Sequence, residues 1–337
     1  MTRQVPSIAP AVGYSWNNVF YDDFTGEGYS LDTNFRHPMN RAKWKWDAAS
    51  NKEIWWEPAC SQIVSDATRS CNKPILRVSV WSDWFHRIDR LATKQKFGYG
   101  YYESRLRFKG AEGMHSAFWL LPEAMIDDPV APGKVVGGVE VDVVENRKVD
   151  GGGNDISAQG NTAVHWGGYG ANHRSSAYKL MALPGPPSVW ATFGVLHFEG
   201  GMRWYWNGKE VNSVGVWTPM KNSIYFSTEV NESGGWAGND LSSYGPVDNP
   251  AGYIEVDYTG FWEQVSESSQ LSEDAEALLY RDSAKEMKSL QERVDHLERR
   301  LAVELAELKE LVQSSVSATQ TLHERLTRME SLIGAPQ

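Results

Sequence analysis

Three acidic side chains, Glu140, Asp142 and Glu145, follow one another within six residues of a Val-rich segment. Side chains alternate along a β-strand, so Glu140 and Asp142 share one face and Glu145 points to the other. An unpaired carboxylate is costly in an apolar core. A one-residue β-bulge around Val143 and Val144 would return Glu145 to the face of the other two. We therefore expect a bulged strand that projects three carboxyl groups in a row.

A row of three carboxyl groups is suited to acid–base chemistry. Mutual repulsion raises the pKa of at least one member, and a carboxylic acid that stays protonated near neutral pH can act as a general acid. Two carboxyl groups about 5 Å apart suit a retaining glycosidase. We assign Glu140 as nucleophile, Glu145 as acid/base, and Asp142 as the group that hydrogen-bonds between them. On spacing alone, an exposed acidic strand and a calcium site remain alternatives.

Composition limits the class of protein. The chain has 337 residues, of which 41% are hydrophobic, so most of it should be globular. A net charge of −10 argues against nucleic acid as a partner. No signal peptide and no membrane span are recognisable. Two cysteines, Cys60 and Cys71, are either free or bridged, and no metal-ligand spacing or phosphate loop is present, so we expect no cofactor.

Residues up to about 263 predict β structure. Short segments rich in Val, Ile, Tyr, Phe and Trp recur between clusters of Gly, Asn, Asp and Pro, and no helical segment separates them. Asn207-Gly208 is a two-residue hairpin signal. The pattern predicts an all-β domain, a two-sheet antiparallel β-sandwich of the jelly-roll type, over residues 14–263 after an N-terminal arm at 1–13.

The composition changes after Glu263. Residues 264–282 predict a polar linker and the start of a helix, and residues 283–333 predict a long C-terminal α-helical coiled coil with one four-residue stutter. A single amphipathic helix that packs on the β domain is the alternative. A dimer or a trimer would fit. The expected seam is Met287, Leu290, Val294, Leu297, Leu301, Leu305, Leu308, Val312, Ser315, Thr319, Leu322, Leu326, Met329 and Ile333.

The acidic segment resembles the ExDxxE signature of glycoside hydrolase family 16, which includes laminarinases, lichenases and agarases. The resemblance implies a concanavalin A-like jelly roll and hydrolysis of a β-linked polysaccharide, and it places Glu140, Asp142 and Glu145 in the catalytic row. It covers about residues 14–263 and leaves the C-terminal helix unexplained. Further segments resemble family strands in the same order: 16–24, 97–105, 113–122, 193–208, 235–238 and 254–258.

Three tryptophans are candidates for substrate contact, since a flat indole face can stack on a pyranose ring. By resemblance, Trp119 forms part of the sugar platform, with a core position as the alternative. Trp236 lies in a Gly-rich loop with little local core to fill. Trp55 and Trp56 are neighbours in an extended segment, so one should face inward and the other the cleft, and we assign Trp56 to the cleft.

Three polar residues complete the predicted site. The resemblance places His165 near the acid/base group or the sugar, although a structural histidine is an equal alternative. Arg105 could bind sugar hydroxyls or form a surface ion pair. His115 stands where many relatives have Trp, so we place it on the cleft rim.

Three hypotheses about function follow. The first is a retaining endo-glycosidase that cleaves a β-linked glucan or galactan and forms a homo-oligomer through residues 283–333. The second is a non-catalytic carbohydrate-binding or host-adsorption module on the same fold. The third concerns the setting: an extracellular or virion-associated protein, such as a bacteriophage tail or capsid protein with other virion proteins as partners.

Overall fold

The structure is a computed structural model that describes residues 4–48, 50–66, 73–123, 125–126, 133–230 and 235–333. Within the helix, side chains are described over residues 287–331. The chain divides into two compact units, Met1–Ser266 and Glu267–Gln337. In the described part of the chain, no helix is both long and apolar enough to cross a membrane.

The first unit is built from strands, with 3₁₀ turns at Leu31–Thr33 and Pro58–Cys60. The described residues form seventeen strands: β1 (Tyr14–Asp22), β2 (Phe35–Arg36), β3 (Lys43–Asp47), β4 (Lys52–Trp56), β5 (Ser61–Ser65), β6 (Pro74–Ser82), β7 (His86–Thr93), β8 (Gly100–Lys109), β9 (Met114–Leu121), β10 (Val139–Arg147), β11 (Gln159–Trp166), β12 (Arg174–Ala182), β13 (Ala191–Phe198), β14 (Gly201–Trp206), β15 (Lys209–Val214), β16 (Ser223–Val230) and β17 (Gly252–Ser266).

Fourteen of these strands form two packed sheets, while β5 extends the first sheet beside β6, and β3 pairs with β4, which runs parallel to β7. The first sheet has the order β15-β14-β13-β8-β17, and the other edge of β17 pairs with β6 and β1. The second sheet has the order β12-β11-β10-β9-β16-β7-β2. All pairings within the two sheets are antiparallel, and the main hydrophobic core lies between the sheets. The predicted two-sheet antiparallel β-sandwich is confirmed.

Local sequence signals account for several of these elements. Asn207 and Gly208 have φ values of 47° and 73° and form the turn between β14 and β15, as the hairpin signal predicts. In β8, Tyr102 and Leu106 join the core while Glu103 occupies the opposite face. Cys60 is buried, and Cys71 lies outside the described residues.

Strand β10 contains the predicted bulge. Its register with β11 shifts between Asp142 and Glu145, where β10 has one residue more than its partner. Its register with β9 shifts between Asp142 and Val144. Val143 and Val144 are both fully buried in the core, so the extra residue is accommodated by apolar packing.

Two tryptophans of the opposite sheet bind the backbone of the bulge. The indole nitrogen of Trp204 donates to the carbonyl oxygen of Asp142 at 2.9 Å, and that of Trp206 donates to the carbonyl oxygen of Val143 at 3.4 Å. A bulge disrupts the ladder of backbone hydrogen bonds, and a buried carbonyl without a partner is costly. The two indoles therefore stabilise the irregular backbone that carries the carboxyl groups.

The N-terminal segment packs on the first sheet. The backbone N–H of Ser7 donates to a carboxylate oxygen of the buried Glu103 at 3.1 Å. The indoles of Trp16 and Trp262 donate to the carbonyl oxygens of Ile8 and Gln4 at 2.9 and 3.0 Å. The segment is thus held by side chains of three different strands.

The second unit contains one helix, α1 (Glu267–Ile333), which begins directly after β17. Residues 264–282, predicted as a linker and helix start, are therefore divided between the end of a strand and the first turns of the helix. The large apolar side chains described on α1 are 45% to 73% exposed. The predicted coiled coil remains a prediction.

Replacing Trp204 by Phe should destabilise the fold, because it leaves the buried carbonyl of Asp142 without a donor. The cost of such an unsatisfied group is about 1–3 kcal/mol. Urea denaturation would measure the change in the free energy of unfolding. The matched control is Trp46→Phe, since Trp46 is 49% exposed, and we expect a change within about 0.5 kcal/mol. Equal changes in the two variants would contradict the role of the Trp204 indole.

Candidate active site

A cavity of about 330 Å³ opens on the second sheet above β10. The side chains that line it come from β7, β9, β10, β16 and the loop after β11. They are Arg90, His115, Ala117, Trp119, Leu121, Glu140, Asp142, Glu145, Tyr169, Ser227 and Glu229. The bulge therefore brings all three predicted catalytic carboxyl groups to one cavity.

Each carboxyl group has its own polar partner. The Tyr169 hydroxyl donates to a carboxylate oxygen of Glu140. The amide nitrogen of Asn161 donates to Glu145 at 2.5 Å. Asp142 lies 3.2 Å from the Nε2 atom of His165. All of these partners come from β11 or from the loop that follows it, so one side of the row is occupied by hydrogen-bonding groups.

Burial raises the pKa of each of the three carboxyl groups in the row. Burial raises the pKa of Glu140 to about 7, and repulsion from Asp142 adds to this while the Tyr169 hydroxyl opposes it. Burial also raises the pKa of Asp142. The pKa of Glu145 is also raised, by burial and then by Asp142, and the Asn161 amide opposes the shift. Burial and repulsion therefore favour the protonated form of Glu145, which is the form that a general acid needs.

Trp119 lines the cavity but is held in place by protein contacts. It is only 5% exposed, its indole nitrogen donates to Ser227 Oγ at 3.1 Å, and its ring is 4.5 Å from that of Tyr225. The Arg90 guanidinium lies 5.3 Å from the Trp119 ring and forms an ion pair with Glu229 at 3.6 Å. Trp119 and Arg90 therefore line the cavity as a contacting pair.

The assignment of Trp56 to the cleft is corrected by its burial. Trp56 is 1% exposed and belongs to a second hydrophobic cluster with Ile54 and Val80. Its neighbour Trp55 is the partly exposed member of the pair and stacks on Phe85. Trp56 meets the site only indirectly, because the guanidinium that covers Trp119 also lies 4.8 Å from the Trp56 ring.

His115 lines the cavity and its ring contacts that of Trp236, which is not among the lining residues. Their ring centroids are 5.1 Å apart, with the rings edge to face. The guanidinium of Arg147 lies 3.8 Å from the Trp236 ring and donates to the Trp236 carbonyl at 2.6 Å. Trp236 is partly exposed, so the structure places it beside the lining residue His115 rather than in the cavity itself.

Arg105 is not near the row. It lies on β8 in the first sheet, where its guanidinium pairs with Asp257 at 2.5 Å and covers the Trp190 ring at 5.4 Å. The ion pair, which the sequence left as an alternative to sugar binding, is the arrangement in the structure. The prediction that Arg105 binds substrate is therefore corrected.

Four polar cavity residues were not predicted from the sequence, namely Arg90, Tyr169, Ser227 and Glu229, nor was Asn161, the partner of Glu145. Tyr169 follows two glycines directly after a predicted strand, and that loop was the one local signal that could have indicated it. The others lie on regular strands or are placed by tertiary contacts, so nothing in their own segments distinguishes them.

Ligand atoms of Glu140, Asp142 and His165 lie within 4.8 Å of one another. Calcium requires six to eight oxygen ligands, whereas this group supplies two carboxylates and one imidazole. Tyr169 and His165 already engage the two carboxyl groups. The donors of this group differ from the all-oxygen set that calcium prefers, and both carboxyl groups already have partners within the protein.

Comparison with solved structures supports the fold. An endo-glucanase of family 16 from Bacteroides ovatus is 16% identical with a TM-score of 0.53, over 73% of this chain and 100% of that one. The endo-β-1,3-glucanase from Pyrococcus furiosus is 18% identical with a TM-score of 0.55, over 78% and 100%. Porphyranase B from Zobellia galactanivorans is 14% identical with a TM-score of 0.56, over 78% and 100%.

No curated protein matches the chain at a significant level. The sequence profile described as "Glycosyl hydrolases family 16" matches residues 68–260, which is more than half of the chain and includes every strand that lines the cavity. With the bulged strand and its three carboxyl groups, this match shows that the chain belongs to glycosyl hydrolases family 16.

Proposed function

We propose that the protein is a retaining endo-glycosidase that cleaves a β-linked polysaccharide of the glucan or galactan type. The observation that carries the proposal is the bulged strand that brings Glu140, Asp142 and Glu145 into one cavity. Burial raises the pKa of Glu140 to about 7, and burial and repulsion from Asp142 raise the pKa of Glu145 as well. A protonated acid beside an ionised carboxylate is the pair that a double displacement needs.

The reaction proceeds in two steps. Glu140 attacks the anomeric carbon while Glu145 gives its proton to the leaving glycosidic oxygen, which breaks the C–O bond and forms a glycosyl ester on Glu140. Glu145, now ionised, takes a proton from water, and the resulting hydroxide attacks the same carbon and releases Glu140. Asp142, between them, raises the pKa of Glu145 by repulsion.

Internal cleavage of a chain is favoured by the shape of the site. The cavity is lined from four adjacent strands of the second sheet and from one loop, so a sugar chain can lie across several strands. Two of the similar structures are described as endo-glucanases, and a third as a porphyranase. This range supports a β-linked glucan or galactan as the substrate class.

The C-terminal helix supports a multivalent form of this enzyme. The large apolar side chains described on α1 are exposed, and burying them against further copies of α1 would remove that surface from water. We propose a homodimer or homotrimer, displayed outside the cell or on a bacteriophage tail or capsid with other virion proteins. Several copies would raise avidity for a repetitive surface glycan. Mass spectrometry of purified virions tests the virion setting.

Replacing Glu140 by Gln should reduce polysaccharide cleavage by a factor on the order of 10³ or more, because the amide cannot attack the anomeric carbon. Reducing ends released from a panel of β-glucans and agarose would measure the loss. Glu199→Gln, in an exposed turn, is the matched control and should retain full activity. Binding of glycan by the wild-type chain without any cleavage would instead favour the carbohydrate-binding module.

The pH dependence should be bell-shaped. Glu140 must be ionised, so kcat/KM should fall about tenfold per pH unit below its pKa, which is raised to about 7. Glu145 must be protonated, so kcat/KM should also fall as the pH rises through the raised pKa of that group. In Glu145→Gln the alkaline fall should disappear. An acid limb near pH 4 would contradict the burial of Glu140.

Charged side chains introduced into the predicted coiled-coil seam of α1 should dissociate the proposed oligomer. In the double variant Leu297→Glu and Leu301→Glu, like charges would meet in the interface, and the dissociation constant should rise by at least about 100-fold. Sedimentation velocity would detect the change to monomer. Val303→Glu, outside the seam and 59% exposed in the present structure, is the control. A wild-type chain that sediments as a monomer would contradict the proposal.

A further inference from the structure

The loop between β11 and β12, residues 167–173, turns sharply over the cavity. Gly167 and Gly168 have φ values of 74° and 70°, in the left-handed region that other residues rarely adopt. Two such residues in succession reverse the chain immediately after β11. The next residue, Tyr169, lines the cavity, and the last residue of the loop, His173, lies beside His165.

Hydrophobic burial does not explain the position of Tyr169. Its side chain is 66% exposed, and an exposed aromatic ring gains little from packing. Its contacts are the hydrogen bond to the Glu140 carboxylate and a stack on His173, with ring centroids 6.4 Å apart and planes 28° apart. The hydroxyl therefore holds the group that we propose as nucleophile.

His173 reaches a second carboxyl group through His165. The Nε2 atom of His173 lies 3.0 Å from Nδ1 of His165, and the two rings are within 9° of parallel. The Nε2 atom of His165 is 3.2 Å from Asp142. Burial lowers the pKa of His173, which is therefore neutral near pH 7. A carboxylate at Asp142 requires a proton on Nε2 of His165, so Nδ1 of His165 accepts from His173.

We propose that this loop is a positioning element, in which Tyr169 orients the nucleophile and His173 fixes the tautomer of His165 that holds Asp142. The inference rests on the proposed function and extends it. Tyr169 and His173 are positioning residues, because neither exchanges a proton with the substrate. One loop thereby controls two members of the carboxylate row.

The groups around Glu140 leave the Tyr169 hydroxyl as the main stabiliser of its ionised form. Asp142 on β10 and Glu229 on β16 repel a negative charge there. A protonated His165 on β11 would favour the charge, but in the tautomer described above its imidazole is neutral. Arg90 on β7 lines the same cavity, but its guanidinium pairs with Glu229 at 3.6 Å. The direct hydrogen bond that stabilises the ionised form of Glu140 comes from Tyr169.

Replacing Tyr169 by Phe tests the first contact. A hydrogen bond to a charged group corresponds to about one pH unit or more in the pKa of its acceptor. We expect the acid limb of kcat/KM on mixed-linkage β-glucan, or on agarose if that is cleaved instead, to move upward by that amount. The ¹³C NMR titration of the Glu140 carboxyl carbon should move equally. Tyr14→Phe, at a strand end of the first sheet, is the control.

Replacing His173 by Phe tests the second contact while keeping a flat ring in the loop. In the wild-type protein, long-range ¹H–¹⁵N spectra should show His165 protonated on Nε2, and the variant should lose this preference. The exposed helix residue His296 provides the control variant, His296→Phe. A midpoint of thermal unfolding equal to that of the wild-type protein would show that the variants remain folded.

The NMR measurements need no substrate, so they separate this inference from the proposed function. If no polysaccharide is cleaved but the Glu140 titration and the His165 tautomer change as expected, the proposed function fails and the positioning role stands. If cleavage is observed but neither the Glu140 titration nor the His165 tautomer responds to the two loop substitutions, the positioning role is overturned.

Discussion

Strand β10 carries one residue more than its neighbours, and the active-site row depends on how the backbone tolerates that residue. Without the bulge, Glu145 would point into the core between the sheets. With it, two carbonyl groups lose their regular partners, and the indoles of Trp204 and Trp206 bind them from the opposite sheet. The position of the three carboxyl groups therefore depends on how the two sheets pack against each other.

The chemistry of the partners explains how three carboxyl groups remain close without losing their function. Glu140 and Glu145 are bound by neutral donors, a phenol and an amide. An arginine in the same place would lower the pKa of its partner by one to three units, roughly, and would favour the ionised form of the acid. The nearest guanidinium in the cavity, that of Arg90, is instead paired with Glu229. Neutral hydrogen-bond donors therefore orient Glu140 and Glu145, and burial raises the pKa values of the carboxyl groups.

The sequence allowed the sandwich, the bulge and the hairpin at Asn207 to be predicted, because alternation along a strand and turn chemistry are local properties. It did not allow the choice between Trp55 and Trp56, since that choice depends on which face of a short strand meets the second cluster. Arg105 was misassigned because its partner Asp257 is 152 residues away. Tyr169 was missed for a similar reason, since its role appears only when the loop folds back over β10.

The direct passage from β17 into helix α1 has a mechanical consequence. A load applied through the helix would enter the first unit at the end of β17, at Ser266. The end of β17 is bonded to β1 on one side, over Tyr14–Asp22, and β8 lies along its other side. These ladders would share the load. Strand β10 belongs to the other sheet, so a force that enters at β17 would act first on the sheet that does not carry the three carboxyl groups.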